Sequence, residues 1–120
     1  MASVVIVDDA EVIRNVLKVL LSGSEHEVVA EAGSGRQALE LYAKFRPDVV
    51  TMDIRMRDQD GIETLKQLLA KFPEAKVIMV SSHAEKDILL EAVKAGARHY
   101  LLKPVPKARL LQAIAQVLES

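Results

Sequence analysis

The sequence predicts an α/β fold: a doubly wound parallel sheet with helices on both faces. Short β-branched runs alternate with longer amphipathic runs over the whole 120 residues, which is the pattern of repeated strand–helix units around a parallel sheet. The run Lys76 to Val80 is continuously apolar after its first residue, as a strand covered on both faces requires. Three strand-like runs also end on residues that can handle a phosphate: Asp8-Asp9, Asp53 and Lys103-Pro104. In open α/β folds all parallel strand C-termini lie on one edge, where ligands bind.

Strand one is expected at 3–7, and helix one at about 10–22 with Val12, Ile13, Val16, Leu17, Leu20 and Leu21 on an apolar face at three-four spacing. Gly23 reads as its stop. Strand two is expected at about 27–31, and Ser34 can cap a helix at about 35–45 that buries Ala38, Leu39, Leu41, Tyr42 and Phe45. Strand three follows at 48–52, then a polar loop from Arg55 to Asp60 and helix three at about 62–71, with Ile62, Leu65, Leu68 and Leu69. Strand four spans 76–80, and helix four, about 84–95, ends at Gly96, a left-handed C-cap candidate. Strand five is 99–102, and helix five, about 106–119, presents Leu110, Leu111, Ile114, Val117 and Leu118. Right-handed crossovers distribute the helices over both faces.

Asp8, Asp9 and Asp53 would crowd three carboxylates into one place, where they stay ionised only if a cation neutralises them. Oxygen ligands without His or Cys suit a hard ion such as Mg²⁺, which keeps positions for phosphate oxygens. Phosphoryl transfer needs that charge neutralisation together with in-line positioning. Lys103 would reach in toward a phosphoryl oxygen as a point charge, and Ser81 could donate a hydroxyl hydrogen bond to another. Asp53, on the central strand, is the best choice for a carboxylate nucleophile. Taken alone, Asp9 reads as a helix cap and Asp53 as the start of a loop.

Composition narrows the classes. The net charge of -1 gives no basic face for nucleic acid. There are no cysteines, so thiol catalysis and cysteine-ligated metals are excluded, and the three histidines lack metal-ligand spacing. No apolar stretch approaches the roughly 18 residues that cross a bilayer. Met1-Ala2-Ser3 runs into a strand without a signal-peptide core, so no membrane association and a cytoplasmic address are expected. The segment Gly33-Ser34-Gly35-Arg36-Gln37-Ala38 fits G-x-G-x-x-A, a dinucleotide fingerprint, but follows strand two and not strand one, and reads as a loop with an N-cap.

Several segments in order resemble the response-regulator receiver domain of two-component systems, of the CheY type, across essentially all of residues 1–120. They are Ile6-Val7-Asp8-Asp9, Asp48 to Asp53, Asp60-Gly61, Val77 to Ser81, Ala95-Gly96-Ala97 and Tyr100 to Pro104. The resemblance implies a single receiver domain over 1–120 and a flavodoxin-like five-stranded sheet in order 2-1-3-4-5. It implies that a histidine kinase or phosphotransfer protein phosphorylates Asp53, and that Asp8 and Asp9 hold Mg²⁺. Asp9 and Asp53 are favoured as direct ligands, joined by the backbone carbonyl of Arg55. Lys103 would contact the phosphoryl group, Ser81 would move toward it, and Tyr100 would be the aromatic switch. Arg55 and His83 would flank the phosphoryl group and tune its hydrolysis. The face of helix four, strand five and helix five would then change for a downstream output domain or effector, and admits homodimer pairing. On this face Lys86, Lys94, Arg98, Lys107 and Arg109 are basic.

Two departures stand out. Arg57 replaces the usual proline four residues after the phosphoacceptor, so the loop is expected to be more mobile or differently set. Val105 stands where an aromatic is common. The competing readings are a pseudo-receiver that binds partners without taking phosphate, and a small Mg²⁺-dependent phosphohydrolase, for whose substrate cap the chain leaves no room.

Overall fold

A computed structural model describes all 120 residues, and in it the alternating runs become β1 (Ser3–Val7), α1 (Glu11–Leu21), β2 (Glu27–Ala32), α2 (Gly35–Phe45) and β3 (Val49–Met52), followed by α3 (Gly61–Lys71), β4 (Val77–Ser81), α4 (Lys86–Ala95), β5 (His99–Leu102) and α5 (Lys107–Glu119). The five strands are parallel in order β2-β1-β3-β4-β5, as the resemblance implied. No helix is long and apolar enough to cross a membrane.

Side chains alternate across each strand, so each strand serves two cores. Val5, Val7, Val50, Met52, Val77 and Met79 face one way, and pack with Tyr42 of α2, Leu65 and Leu68 of α3 and Ala92 of α4. Val4, Ile6, Val49, Ile78 and Val80 face the other way, with Leu17 and Leu21 of α1 and Leu110, Ile114 and Val117 of α5. Each fully buried Leu or Ile contributes about 1.5–3 kcal/mol. These two layers therefore hold the strand ends rigidly in place.

The structure corrects several expectations. Val12 and Val16 do not pack inward: they are 71% and 48% exposed, and Val19 is exposed beside them. The apolar arc of α1 is wider than the strip the sheet can cover, so only Leu17 and Leu21 are fully buried. Phe45, in the last turn of α2, is likewise exposed. The chain leaves α1 at Ser22 in an extended conformation, and Gly23, at φ 78°, forms the turn after it. Ser34 caps α2 by accepting from Gln37 N–H, and Gly96 ends α4 at φ 111°. Asp48, expected to open the third strand, lies just before β3 and accepts from Ser3 N–H at 2.8 Å.

Candidate functional site

Register brings the site together. Val7 pairs with Met52 across β1 and β3, so the residues that follow them, Asp8 and Asp53, emerge side by side. The ladder continues one step beyond the strands: Asp8 N–H donates to Ala32 O at 3.0 Å, and Asp53 N–H donates to Val7 O at 3.0 Å. On the far side Ser81 pairs with Leu102, and Lys103 N–H donates to Ser81 O at 2.9 Å. All these side chains leave one edge of the sheet.

Carboxylate oxygens of Asp8, Asp9 and Asp53 lie within 4.8 Å of one another. Asp8 and Asp53 are 1% and 7% exposed, while Asp9 is half-buried. Burial, and then the neighbouring Asp8 charge, push the Asp53 carboxyl above the usual carboxylate range; Lys103 opposes both. Three crowded oxygen donors with no nitrogen or sulfur fit a hard divalent cation, which would remove the repulsion that Lys103 offsets only in part. Lys103 Nζ lies 2.7 Å from Asp8 Oδ2 and 3.4 Å from Asp53 Oδ1. The Lys103–Pro104 peptide is cis.

Local hydrogen bonds orient the acids. Ile54 N–H donates to Asp53 Oδ1 at 2.8 Å. The carboxylate at the start of α1 that accepts a backbone N–H is Asp8, from Ala10 at 2.9 Å, and not Asp9 as a cap would have it. Asp9 is thereby left at the rim of the cluster, facing the other two acids. Behind the β1–α1 turn, Arg14 donates to Asp8 O at 2.6 Å and to Glu31 Oε1 at 2.8 Å, while Lys18 donates to Glu31 Oε2 at 2.5 Å. The hydrogen bond from Lys18, then that from Arg14, hold the Glu31 carboxyl below its usual range.

At the other side of the edge Ser81 is buried, and its Oγ accepts from His83 N–H at 3.1 Å. Tyr100 OH donates to the His83 carbonyl at 2.8 Å, so Ser81 and Tyr100 hold the two peptide units on either side of the His83 Cα. Burial raises the Tyr100 phenol above its ordinary range. Arg55 is exposed, and His83 Nδ1 lies 3.5 Å from Glu85 Oε1. The carboxyl of Glu85 is held low first by backbone hydrogen bonding, then by His83 and, more weakly, by Arg55.

The β3–α3 loop is fastened at its end. Gly61 N–H donates to Ile54 O at 2.5 Å, and a methyl group on Gly61 would overlap the Asp53 carbonyl oxygen. Asp60 caps α3 by accepting from Ile62 N–H at 2.6 Å. Asp58 accepts from Gly35 N–H and from Arg36 N–H, each at 3.0 Å. The loop that carries Arg57 is thus set by hydrogen bonds at Ile54, Asp58 and Asp60. Sequence reasoning missed Arg14, Glu31, Asp58 and Glu85. No local signal marks them, because their partners lie on distant segments or become neighbours only in the fold.

Comparison with known proteins agrees with this edge. A family model described as the response regulator receiver domain matches residues 4–115. The chemotaxis protein CheY of Listeria monocytogenes serovar 1/2a is 42% identical over 114 residues, which are 95% of this chain and 96% of that protein. The response regulator domain of Thermotoga maritima CheB superposes with a TM-score of 0.89 at 37% identity, covering 98% of this chain and 96% of that one. A chain of the CheX–CheY–BeF3–Mg²⁺ complex from Borrelia burgdorferi gives a TM-score of 0.92 at 28% identity, covering 96% and 87%. With the strand order, the acidic strand ends and the lysine all in place, this chain belongs to the response regulator receiver domain family.

Proposed function

We propose that this chain is the phosphoacceptor module of a two-component phosphorelay, with Asp53 as the acceptor. The observation that carries the reading is the convergence of Asp8, Asp9, Asp53 and Lys103 on one sheet edge. An ionised Asp53 oxygen attacks the phosphorus of a phosphohistidine on a histidine kinase or phosphotransfer protein. The new oxygen–phosphorus bond forms as the nitrogen–phosphorus bond breaks, and the imidazole keeps the electron pair and takes up a proton. Asp8, Asp9, Asp53 and the Arg55 carbonyl would hold Mg²⁺, which supplies charge neutralisation to the transferring group. That Mg²⁺ is the ion is supported by the all-oxygen donor set and by the Mg²⁺ in the Borrelia complex. The domain promotes only its own phosphorylation and dephosphorylation.

Lys103 balances charge on the acceptor oxygens. Ser81 and Tyr100, joined through His83, form the switch: drawing Ser81 toward a phosphoryl oxygen changes its bond to His83 N–H and with it the peptide that Tyr100 holds. The change reaches the α4–β5–α5 face, where Ala84, Leu89, Tyr100, Leu101, Val105 and Arg109 line an apolar groove of about 380 Å³. A downstream output domain or effector is the partner there, and the same face admits a homodimer. Arg55 and His83 stand at the rim and tune hydrolysis. With no nucleic-acid or membrane role of its own, the domain acts in the cytoplasm.

Incubation with Mg²⁺ and acetyl phosphate followed by intact mass tests the reading. A single labile phosphoryl group that disappears in Asp53→Asn supports it. Catalytic release of phosphate points to a hydrolase, and no uptake points to a pseudo-receiver. In Arg55→Ala, uptake persists and the half-life of the phosphorylated form changes.

A further inference from the structure

The Gly33-Ser34-Gly35 segment has the form of a phosphate-binding turn, yet its anion seat is already filled. The first N–H groups of a helix have no partner within it. In α2, Gln37 N–H goes to Ser34 Oγ at 3.1 Å, while Gly35 and Arg36 N–H go to the two carboxylate oxygens of Asp58, each at 3.0 Å. Asp58 lies 23 residues from Gly35, in the loop that leaves Asp53. The hydrogen bond from Gly35, and then that from Arg36, hold the Asp58 carboxyl below the usual carboxylate range.

The approach is close on every side. Gly35 is buried, and a methyl group there would overlap Thr64 Oγ1 and the Gln59 side chain. Gln59 Nε2 in turn donates to Thr64 Oγ1 at 2.7 Å and to Gln67 Oε1 at 3.2 Å. The loop between Asp53 and Gly61 is therefore tied to itself by Gly61 N–H and Ile54 O, and to a separate element by Asp58. Arg55 and Met56 lie between Ile54 and Asp58, the two loop residues that accept these backbone hydrogen bonds.

We propose that Asp58 is a positioning residue, a latch that uses the N-terminus of α2 to set the β3–α3 backbone carrying the Arg55 carbonyl. This deepens the phosphoacceptor reading and rests on it. The latch couples the stability of the α2 N-terminus to the geometry of the acidic site.

The test compares Asp58→Ala with Ser34→Ala. Both remove a cap from α2, but only the first releases the loop. In metal-free protein, Asp58→Ala raises hydrogen exchange at the amides of residues 54–57, as well as at Gly35 and Arg36, by about five- to tenfold. Ser34→Ala raises exchange in α2 alone. In Mg²⁺ titrations followed by amide chemical shifts, Asp58→Ala binds the ion several-fold more weakly, and Ser34→Ala binds as the parent does. Asp58→Asn, which keeps one acceptor oxygen, falls between. Unchanged exchange at residues 54–57 in Asp58→Ala, or equal effects of the two alanine variants on the loop, overturns the latch. Failure of the phosphoacceptor reading appears separately, as a parent protein that takes no phosphoryl group from acetyl phosphate while the exchange comparison still judges the latch.

Discussion

Lys103 forms its short ion pair with Asp8, at 2.7 Å, and stands farther from Asp53, at 3.4 Å. No other cation in the chain pairs with either acid. The lysine therefore sits closer to Asp8 than to Asp53, the proposed acceptor, whose carboxyl is pushed up by burial and by the Asp8 charge. A divalent cation entering the cluster competes with the ammonium for Asp8.

Replacing the lysine exposes that competition. Lys103→Met leaves two buried carboxylates without a counter-charge, and removal of one partner from such a pair costs on the order of 3 kcal/mol. Denaturant unfolding in the presence of a chelator shows the loss. Adding Mg²⁺ recovers more stability in Lys103→Met than it adds to the parent. An equal response in both proteins counts against competition at Asp8.

Gly61→Ala disturbs the site from behind. The methyl group meets the Asp53 carbonyl and the Ile54 backbone, and neither can move without shifting Asp53. Overpacking of this kind costs about 1–3 kcal/mol. The variant is expected to unfold at lower urea and to take up a phosphoryl group more slowly than its stability loss alone explains, as read by intact mass over time.

The Arg14–Glu31–Lys18 cluster carries a pH signature. The Glu31 carboxyl is lowered from its ordinary 4.5, so its contribution is present above that value and is lost as pH falls through the lower folded-state value. Glu31 is one-third exposed, which limits the contribution to about 0.5–1 kcal/mol. Glu31→Gln is thus less stable than the parent at neutral pH, and the gap closes in acid and in high salt. Thermal unfolding across pH measures it; a gap that widens in acid contradicts the assignment.

Tyr100→Phe removes only the hydroxyl that reaches the His83 carbonyl. The expected loss is about 1 kcal/mol. Hydrogen exchange rises at residues 83–85, while the Mg²⁺ response of the acids stays as in the parent, because Ser81 still holds His83 N–H. A changed Mg²⁺ response would place Tyr100 closer to the acids than the hydrogen bonds indicate.

Much of this was readable residue by residue. Each predicted strand and helix is present with ends shifted by at most two positions, because a period of two or of three to four reports directly on burial. Asp8, Asp53 and Lys103 were legible for the same reason, as the first polar residues after buried strands. Val12 and Val16 misled, since three-four spacing says that a face is apolar and not how much of it a sheet covers. Asp58 was invisible: its partners are 22 and 23 residues away, and nothing local distinguishes it from any other loop acid.

By itself the chain determines which segments extend and which coil, and that acids and a lysine follow the buried strands, because backbone sterics and burial act over a few residues. Which carboxylate the lysine takes, which aspartate receives the α1 N–H, and what fastens the loop after Asp53 were decided by tertiary structure. Those choices depend on register and on hydrogen bonds between distant segments, whose energies exist only once the sheet has brought the segments within reach.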